Sequence, residues 1–200
     1  MKKFFRRALM AIVVVAFTIL ASVAYATENP AQDIQKYTET IQINPNSAEA
    51  YNNRGIAYND LEQYERAIQD FDKAIQINPN YSDAYYNRGT AYFYLKQYER
   101  AVQDFDKAIQ INPNSAKAYV KRGMAYRSLK QEEQAIRDFD KAIQINPNFA
   151  DAYDQRGFSY IFLKQYERAV QDLNEAIKLN PNNGYAYSNR GLAYRRLNQK

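Results

Sequence analysis

Arg54, Arg88, Arg122, Arg156 and Arg190 stand 34 residues apart, and Asp70, Asp104, Asp138 and Asp172 keep the same spacing. A guanidinium grips a carboxylate or a phosphate through two parallel N–H donors, so such a column suits either a ladder of anion sites or a set of internal ion pairs. A feature copied into every unit is architecture before it is a site. Arg-to-Asp contacts between packed helices are therefore expected, with Arg66, Arg100 and Arg168, four residues ahead of their Asp, as local competitors. Paired carboxylates such as Asp70 and Asp72 recur in three units, which marks surface patterning rather than one acid–base centre. The chain has no His and no Cys. That removes a Ser-His-Asp triad, imidazole and thiolate metal ligands, a thiol nucleophile and disulfides. No Gly-rich phosphate loop or nucleophile elbow is present. The residues point to a non-enzymatic protein with no cofactor and no metal.

The net charge of +5 has a local source. Lys2, Lys3, Arg6 and Arg7 precede the first acid, Glu28, and without residues 1–26 the chain carries 23 basic against 22 acidic side chains. That balance offers no basic stripe for nucleic acid. Residues 1–26 read as a secretory signal peptide. They have a cationic start, an apolar run from Ala8 to Val23 and the small-x-small cleavage site Ala24-Tyr25-Ala26. The run is short for a spanning helix, which needs about 20 apolar residues. An extracytoplasmic protein, periplasmic or secreted after cleavage, is expected; an uncleaved N-terminal anchor is the alternative and the one route to a membrane. Without disulfides the fold must hold by packing alone. Arg190, Arg195, Arg196 and Lys200 form a basic excess expected to act as a soluble cap.

A repeat positions these side chains. Asn-Pro recurs at Pro45, Pro79, Pro113, Pro147 and Pro181, and Gly55, Gly89, Gly123, Gly157 and Gly191 keep the same period. Gln63–Asn80 returns as Gln97–Asn114 with one change, Val102 for Ile68. Each unit predicts two helices. In the unit opening at Ala48, the first runs over Ala48–Leu61 with Tyr51, Gly55, Tyr58 and Leu61 inward. Gly55 predicts a close helix approach, because Gly in a helix interior costs about 1 kcal/mol against Ala. The second helix runs over Tyr64–Ile77 with Ala67, Ile68, Phe71, Ala74 and Ile75 on one stripe. Asn78-Pro79 ends it, since the residue before Pro leaves helical angles. Ser82 is the expected N-cap of the next unit.

A 34-residue period carrying aromatic, Gly, Tyr, Ala, Phe, Ala and Pro at these spacings resembles the tetratricopeptide repeat (TPR). The resemblance covers four units, 48–81, 82–115, 116–149 and 150–183, flanked by a second-type half repeat in 27–47 and a first-type half repeat in 184–200. Two departures are mild: Tyr51 and its equivalents replace a frequent Trp, and Arg replaces the usual Leu before each Gly. The resemblance implies an all-α, right-handed superhelix of antiparallel helix pairs whose concave face binds another protein or peptide. Variable first-helix residues would face that groove. The candidate contact residues are Tyr86, Asn87, Phe93 and Tyr94 in the second unit, Lys117, Lys121, Met124 and Arg127 in the third, and Phe158 and Phe162 in the fourth. The aromatics suit interface anchors, or alternatively pack on the neighbouring unit. Some relatives grip a C-terminal carboxylate with five polar groups. Asn87, Lys117 and Lys121 match three of those places, while Asn52 and Ile56 depart from the opening pair. The expected role is a non-enzymatic adaptor or scaffold. The alternative is a self-assembling module, a homo-oligomer stacked end to end through its half repeats.

Overall fold

The computed structural model describes residues 29–199, so the signal-peptide expectation for 1–26 lies outside the described residues. Among the described residues the chain forms ten helices and no strand. The order is α1 (Pro30–Ile43), α2 (Ala48–Asp60), α3 (Tyr64–Ile77), α4 (Ser82–Tyr94), α5 (Tyr98–Ile111), α6 (Ala116–Ser128), α7 (Glu132–Ile145), α8 (Ala150–Phe162), α9 (Tyr166–Leu179) and α10 (Gly184–Leu197). Even-numbered helices are the first helix of each unit and odd-numbered ones the second.

Local chemistry sets the boundaries. Each second helix stops at an Asn before Pro, and the side-chain oxygen of Asn78, Asn112, Asn146 and Asn180 accepts from the amide two residues on. This Asx turn closes the chain into the next unit. First helices end in a two-bond reversal: after α2, Gln63 N donates to Tyr58 O and Glu62 N to Asn59 O. The reversal needs a left-handed residue, and Glu62, Lys96, Lys130 and Lys164 fill it with φ of 57° to 61°. Glycine would take that conformation without a Cβ penalty. Ser47 and Ser115 cap α2 and α6 by accepting from Ala50 N and Ala118 N. Ser82 does not follow them. Tyr81 holds the cap position, and Ser82, already the first helical residue, turns its hydroxyl to donate to Ala108 O in α5.

The second helices carry the core. Ala67, Phe71 and Ala74 are fully buried, as are Ala101, Phe105 and Ala108, then Ala135, Phe139 and Ala142. In α9, Leu173 takes the place of Phe between Ala169 and Ala176. The first helices are pressed between second helices on both sides, so small residues form much of their contact surface, with Tyr92 and Tyr160 the buried aromatics of α4 and α8. Ala50, Asn52, Gly55 and Ala57 are buried, while Tyr51 and Tyr58 are only half-buried. The inward placement of Leu61 is corrected too. It is the C-cap of α2, one step past the last packed turn, and is 40% exposed. The close approach at Gly55 is present: a Cβ there would lie 2.6 Å from Phe71 Cε1.

The Arg column is internal. Arg54 Nε and Nη2 donate to Asp70 Oδ2 and Oδ1, both at 2.7 Å. Arg88 holds Asp104, Arg122 holds Asp138 and Arg156 holds Asp172 in the same two-pronged way. The remaining Nη1 reaches back to the preceding second helix, to Asp72 from Arg88, Asp106 from Arg122 and Asp140 from Arg156. Each of these guanidiniums therefore clamps three helices. Arg66, Arg100 and Arg168 do not compete for the Asp. They bond to Gln63, Gln97 and Gln165 and lie over Tyr58, Tyr92 and Tyr160. The Asp points into the helix–helix contact, where only the facing helix reaches it.

Consecutive helices pack against one another, and first helices of neighbouring units also touch: α2 with α4, α4 with α6, α6 with α8 and α8 with α10. Second helices of neighbouring units do not touch. Crowding on one side and separation on the other curve the array, so the first helices line its concave face.

Candidate protein-binding groove

The concave wall is built from five equivalent positions on successive first helices. Residues on the Arg-Gly stripe face the second helices and are copied between units; those one stripe over are free to differ. The fifth residue of each first helix is Asn52, Tyr86, Val120, Asp154 or Ser188, and the sixth is Asn53, Asn87, Lys121, Gln155 or Asn189. Where the fifth is polar, the sixth of the next unit bonds to it. Asn87 Nδ2 donates to Asn52 Oδ1 at 3.0 Å, and Asn189 Nδ2 to Asp154 Oδ1 at 3.4 Å. Where the fifth is Tyr86 or Val120, no such bond forms, and the sixth residues Lys121 and Gln155 turn into the groove beside them.

A hollow of about 920 Å³ opens there. Lys117 and Lys121 of α6 and Asp151 and Asp154 of α8 line it, together with the apolar Val120, Met124 and Phe149. Burial lowers the Lys121 ammonium below its ordinary range, against the pull of Asp151, and its Nζ lies 5.8 Å from the Tyr94 ring centre. Burial raises the Asp154 carboxyl, opposed by its bonds from Asn189 and Asn183. Tyr86 is pushed up by desolvation as well. Arg127 is also desolvated, which lowers it; it donates to Gln155 Oε1 at 2.6 Å and stacks over Phe158 at 4.9 Å. Opposite charges lining a partly apolar trough suit a ligand with both donors and acceptors, as an extended peptide backbone has.

The ten candidate residues divide among several places. Tyr86, Lys117, Lys121 and Met124 share the large hollow. Phe158 and Phe162 meet edge to face at 5.0 Å and line a second hollow of about 670 Å³ with Ile161 and Leu192. Tyr94 stacks on Tyr64 of the preceding unit at 5.3 Å, and Phe93 packs edge-on against Tyr94 and Tyr98. Tyr94 thus joins neighbouring units, while Phe93 ties the two helices of its own unit together, and Tyr94 also lines a hollow of about 370 Å³ with Ile56, Asn87 and Thr90. Asn87 borders a hollow of about 320 Å³ with Asn52, Asn53, Ile56 and Lys117, yet its amide is engaged by Asn52. Arg127 serves as the strut between α6 and α8. Sequence reasoning left out Phe149, Tyr185, Ser188 and the turn from Asn180 to Gly184, which close the large hollow. Extending the 34-residue grid onto α10 would have found Tyr185 and Ser188; the turn residues carry no comparable signal.

Family models described as tetratricopeptide repeat match residues 48–81, 82–115 and 116–149, with further repeat matches at 139–171 and 159–198. The chain belongs to the tetratricopeptide-repeat family. Among solved structures, this TPR chain is similar to MamA, with 28% identity, a TM-score of 0.68, and coverage of 74% of this chain and 86% of that one. It shares its fold with YrrB, described as a TPR protein with an unusual peptide-binding site, at 23% identity, TM-score 0.68, and 82% and 84% coverage. It is also similar to the first TPR of Spaghetti (RPAP3) bound to the HSP90 peptide SRMEEVD, at 26% identity, TM-score 0.57, and 58% and 92% coverage. No curated protein matches the sequence significantly.

Proposed function

We propose that this TPR protein is an exported adaptor that holds an extended peptide or helix of a partner protein in the trough between α4, α6, α8 and α10. The observation that carries this reading is the side-chain variety at equivalent trough positions of a scaffold that otherwise repeats closely. The Arg-Asp clamp and the Ala stripe are copied from unit to unit and the Gly contact is met by Phe, or by Leu173 in the fourth, while Tyr86, Val120, Asp154 and Ser188 differ at one equivalent position. Packing does not demand that variety, whereas recognition of one particular partner does. Two solved relatives are described with peptide binding, which agrees with the reading. The Lys117/Lys121 wall faces an acidic group of the ligand and Asp151/Asp154 a basic or amide group. Export rests on the cationic start, apolar run and Ala-x-Ala site of residues 1–26.

Panning a phage-displayed random-peptide library against the chain tests the groove. Lys117→Glu and Tyr185→Ala both alter exposed side chains and leave the framework alone. Enriched peptides are expected to lose about tenfold in affinity, or 1.4 kcal/mol, with either variant. A library that yields no enriched sequence, or peptides indifferent to both changes, refutes the groove. The mass of the mature protein, isolated by fractionation from a secreting host, tests export: a chain beginning at Thr27 outside the cytoplasm is expected.

A further inference from the structure

Two hollows occupy the same place in the repeat, between the C-terminal halves of neighbouring first helices. The one between α2 and α4, about 370 Å³, is lined by Ile56, Asn59, Asp60, Glu62, Thr90 and Tyr94. The one between α8 and α10, about 670 Å³, has Phe158, Ile161, Phe162, Lys164, Leu192 and Arg196 at the corresponding positions. Their chemistry is opposite. Asn59 and Asp60 give way to Ile161 and Phe162, Glu62 to Lys164, Thr90 to Leu192, and no acidic residue lines the second hollow. Phe158 and Phe162 meet edge to face at 5.0 Å, and Phe162 still stands 60% exposed. The hollow between α2 and α4 stays open with α5 to α10 following it, so further helices of the array do not cover this place.

We propose that the α8/α10 hollow seats an apolar-acidic anchor of a partner protein: a Leu or Phe side chain against Phe158, Phe162 and Leu192, with a neighbouring Asp or Glu on Lys164 and Arg196. The inference rests on the reading of the concave trough as the partner-binding face. Covering exposed aromatic and aliphatic surface supplies the affinity, as buried apolar anchors do in interfaces. Two cations with no acid beside them select a carboxylate and turn away a basic segment. The hollow of about 920 Å³ carries both signs of charge, whereas this one carries a single sign. A volume of about 670 Å³ lies in the range of ordinary ligand pockets and has room for a large side chain with its flanking backbone. Residues of α8 and α10 line both hollows, so one extended chain can serve the two, which favours a protein segment over a lipid as the occupant.

The test uses the full chain and three sets of fluorescein-labelled, C-terminally amidated peptides, followed by anisotropy. In a Gly-Ser background, a Leu-Phe pair stands at varied distance from two Asp, two Lys or two Ser. The Asp set is expected to bind about tenfold more tightly than the Lys set. Phe162→Asp/Lys164→Glu copies Asp60 and Glu62 of the first hollow; both altered side chains are exposed, and Glu62 and Lys164 share the left-handed turn at φ 57° and 58°, so the fold should stand. That variant should weaken the Asp set by about tenfold and bring the Lys set ahead of it. Arg196→Glu, also at an exposed position, should weaken the Asp set in the same direction, and Lys117→Glu in the other hollow should leave it unchanged. Asp and Lys sets bound equally, or an Asp set indifferent to both hollow variants, overturns the proposal. Phage panning that enriches peptides sensitive to Lys117→Glu while no Asp peptide binds removes this anchor and leaves the trough reading standing; failure of both removes the two together. Phosphatidylglycerol vesicles that bind the wild-type chain and neither hollow variant, while the Asp set does not bind, would overturn the choice of a protein partner in favour of an anionic lipid.

Discussion

Gly123→Ala and Gly191→Ala make the same change in the same Arg-Gly context and are expected to act in opposite directions. At Gly123 the new Cβ would sit 2.6 Å from Phe139 Cε1 and 3.0 Å from Cδ1 and Cζ. Ordinary contact begins near 3.4 Å, so the ring or the helix must retreat by most of an ångström. Phe139 is fully buried, with Ala135, Ala142, Ala152 and Val120 in the same cluster, and has no free direction to take. Overpacking of this kind costs about 3 kcal/mol. Replacing Gly by Ala in a helix interior returns about 1 kcal/mol through the unfolded chain. The net expectation is a loss of about 2 kcal/mol, which in a chain of this size lowers Tm by about 4–8 °C. At Gly191 nothing stands within 4 Å, so only the propensity gain remains, up to about 1 kcal/mol in the stability of α10. Urea unfolding followed by far-UV circular dichroism reads the first. Hydrogen exchange of the α10 amides reads the second, since it reports local opening helix by helix. A Gly123→Ala chain as stable as wild type would refute the close-contact argument, as would a Gly191→Ala chain equally damaged.

Three further outcomes follow from the same structure. Asp138→Ala should cost about 3 kcal/mol in urea unfolding, because it strands the half-buried Arg122 guanidinium. Asp106→Ala, which removes the exposed second carboxylate partner of the same Arg, should cost under about 1 kcal/mol. Lys130→Gly should stabilise by about 1 kcal/mol, because Lys130 sits at φ 61° in the left-handed region. An unchanged midpoint would mean that the turn carries no such strain. Asp154→Asn should be more stable than wild type at neutral pH. Burial raises the Asp154 carboxyl in the folded state, so the native form holds its proton over a window above 3.8 where the unfolded chain has lost it. Stability linked to this group therefore falls as pH rises through that window. The advantage of the variant should shrink on acidification and vanish below the unfolded value; a gap that is constant with pH would show that Asp154 does not titrate there.

The 34-residue grid determined the helix pairs, their order and nearly every boundary, because Asn-Pro stops, Ala stripes and interior Gly act within one or two turns of chain. It also held the Arg-Asp clamp, since a residue type repeated on two helices at a fixed offset can be paired without coordinates. Tertiary structure alone decided what each first helix buries. Pressing α2 between neighbours on both sides gave the contact surface to Ala50, Asn52 and Ala57 and left Leu61 exposed. It also set the contacts of look-alike aromatics: Tyr94 stacks back on Tyr64 and stays half exposed, while Tyr86 packs on Phe105 and lines the hollow of about 920 Å³. Spacing places both rings on a first helix; only the curvature that brings first helices together, and keeps second helices apart, determines which ring each of them packs on and which hollow it lines. The same holds at α10. Its sequence copies the other first helices, and the open space over Gly191 exists because no second helix lies across it among the described residues.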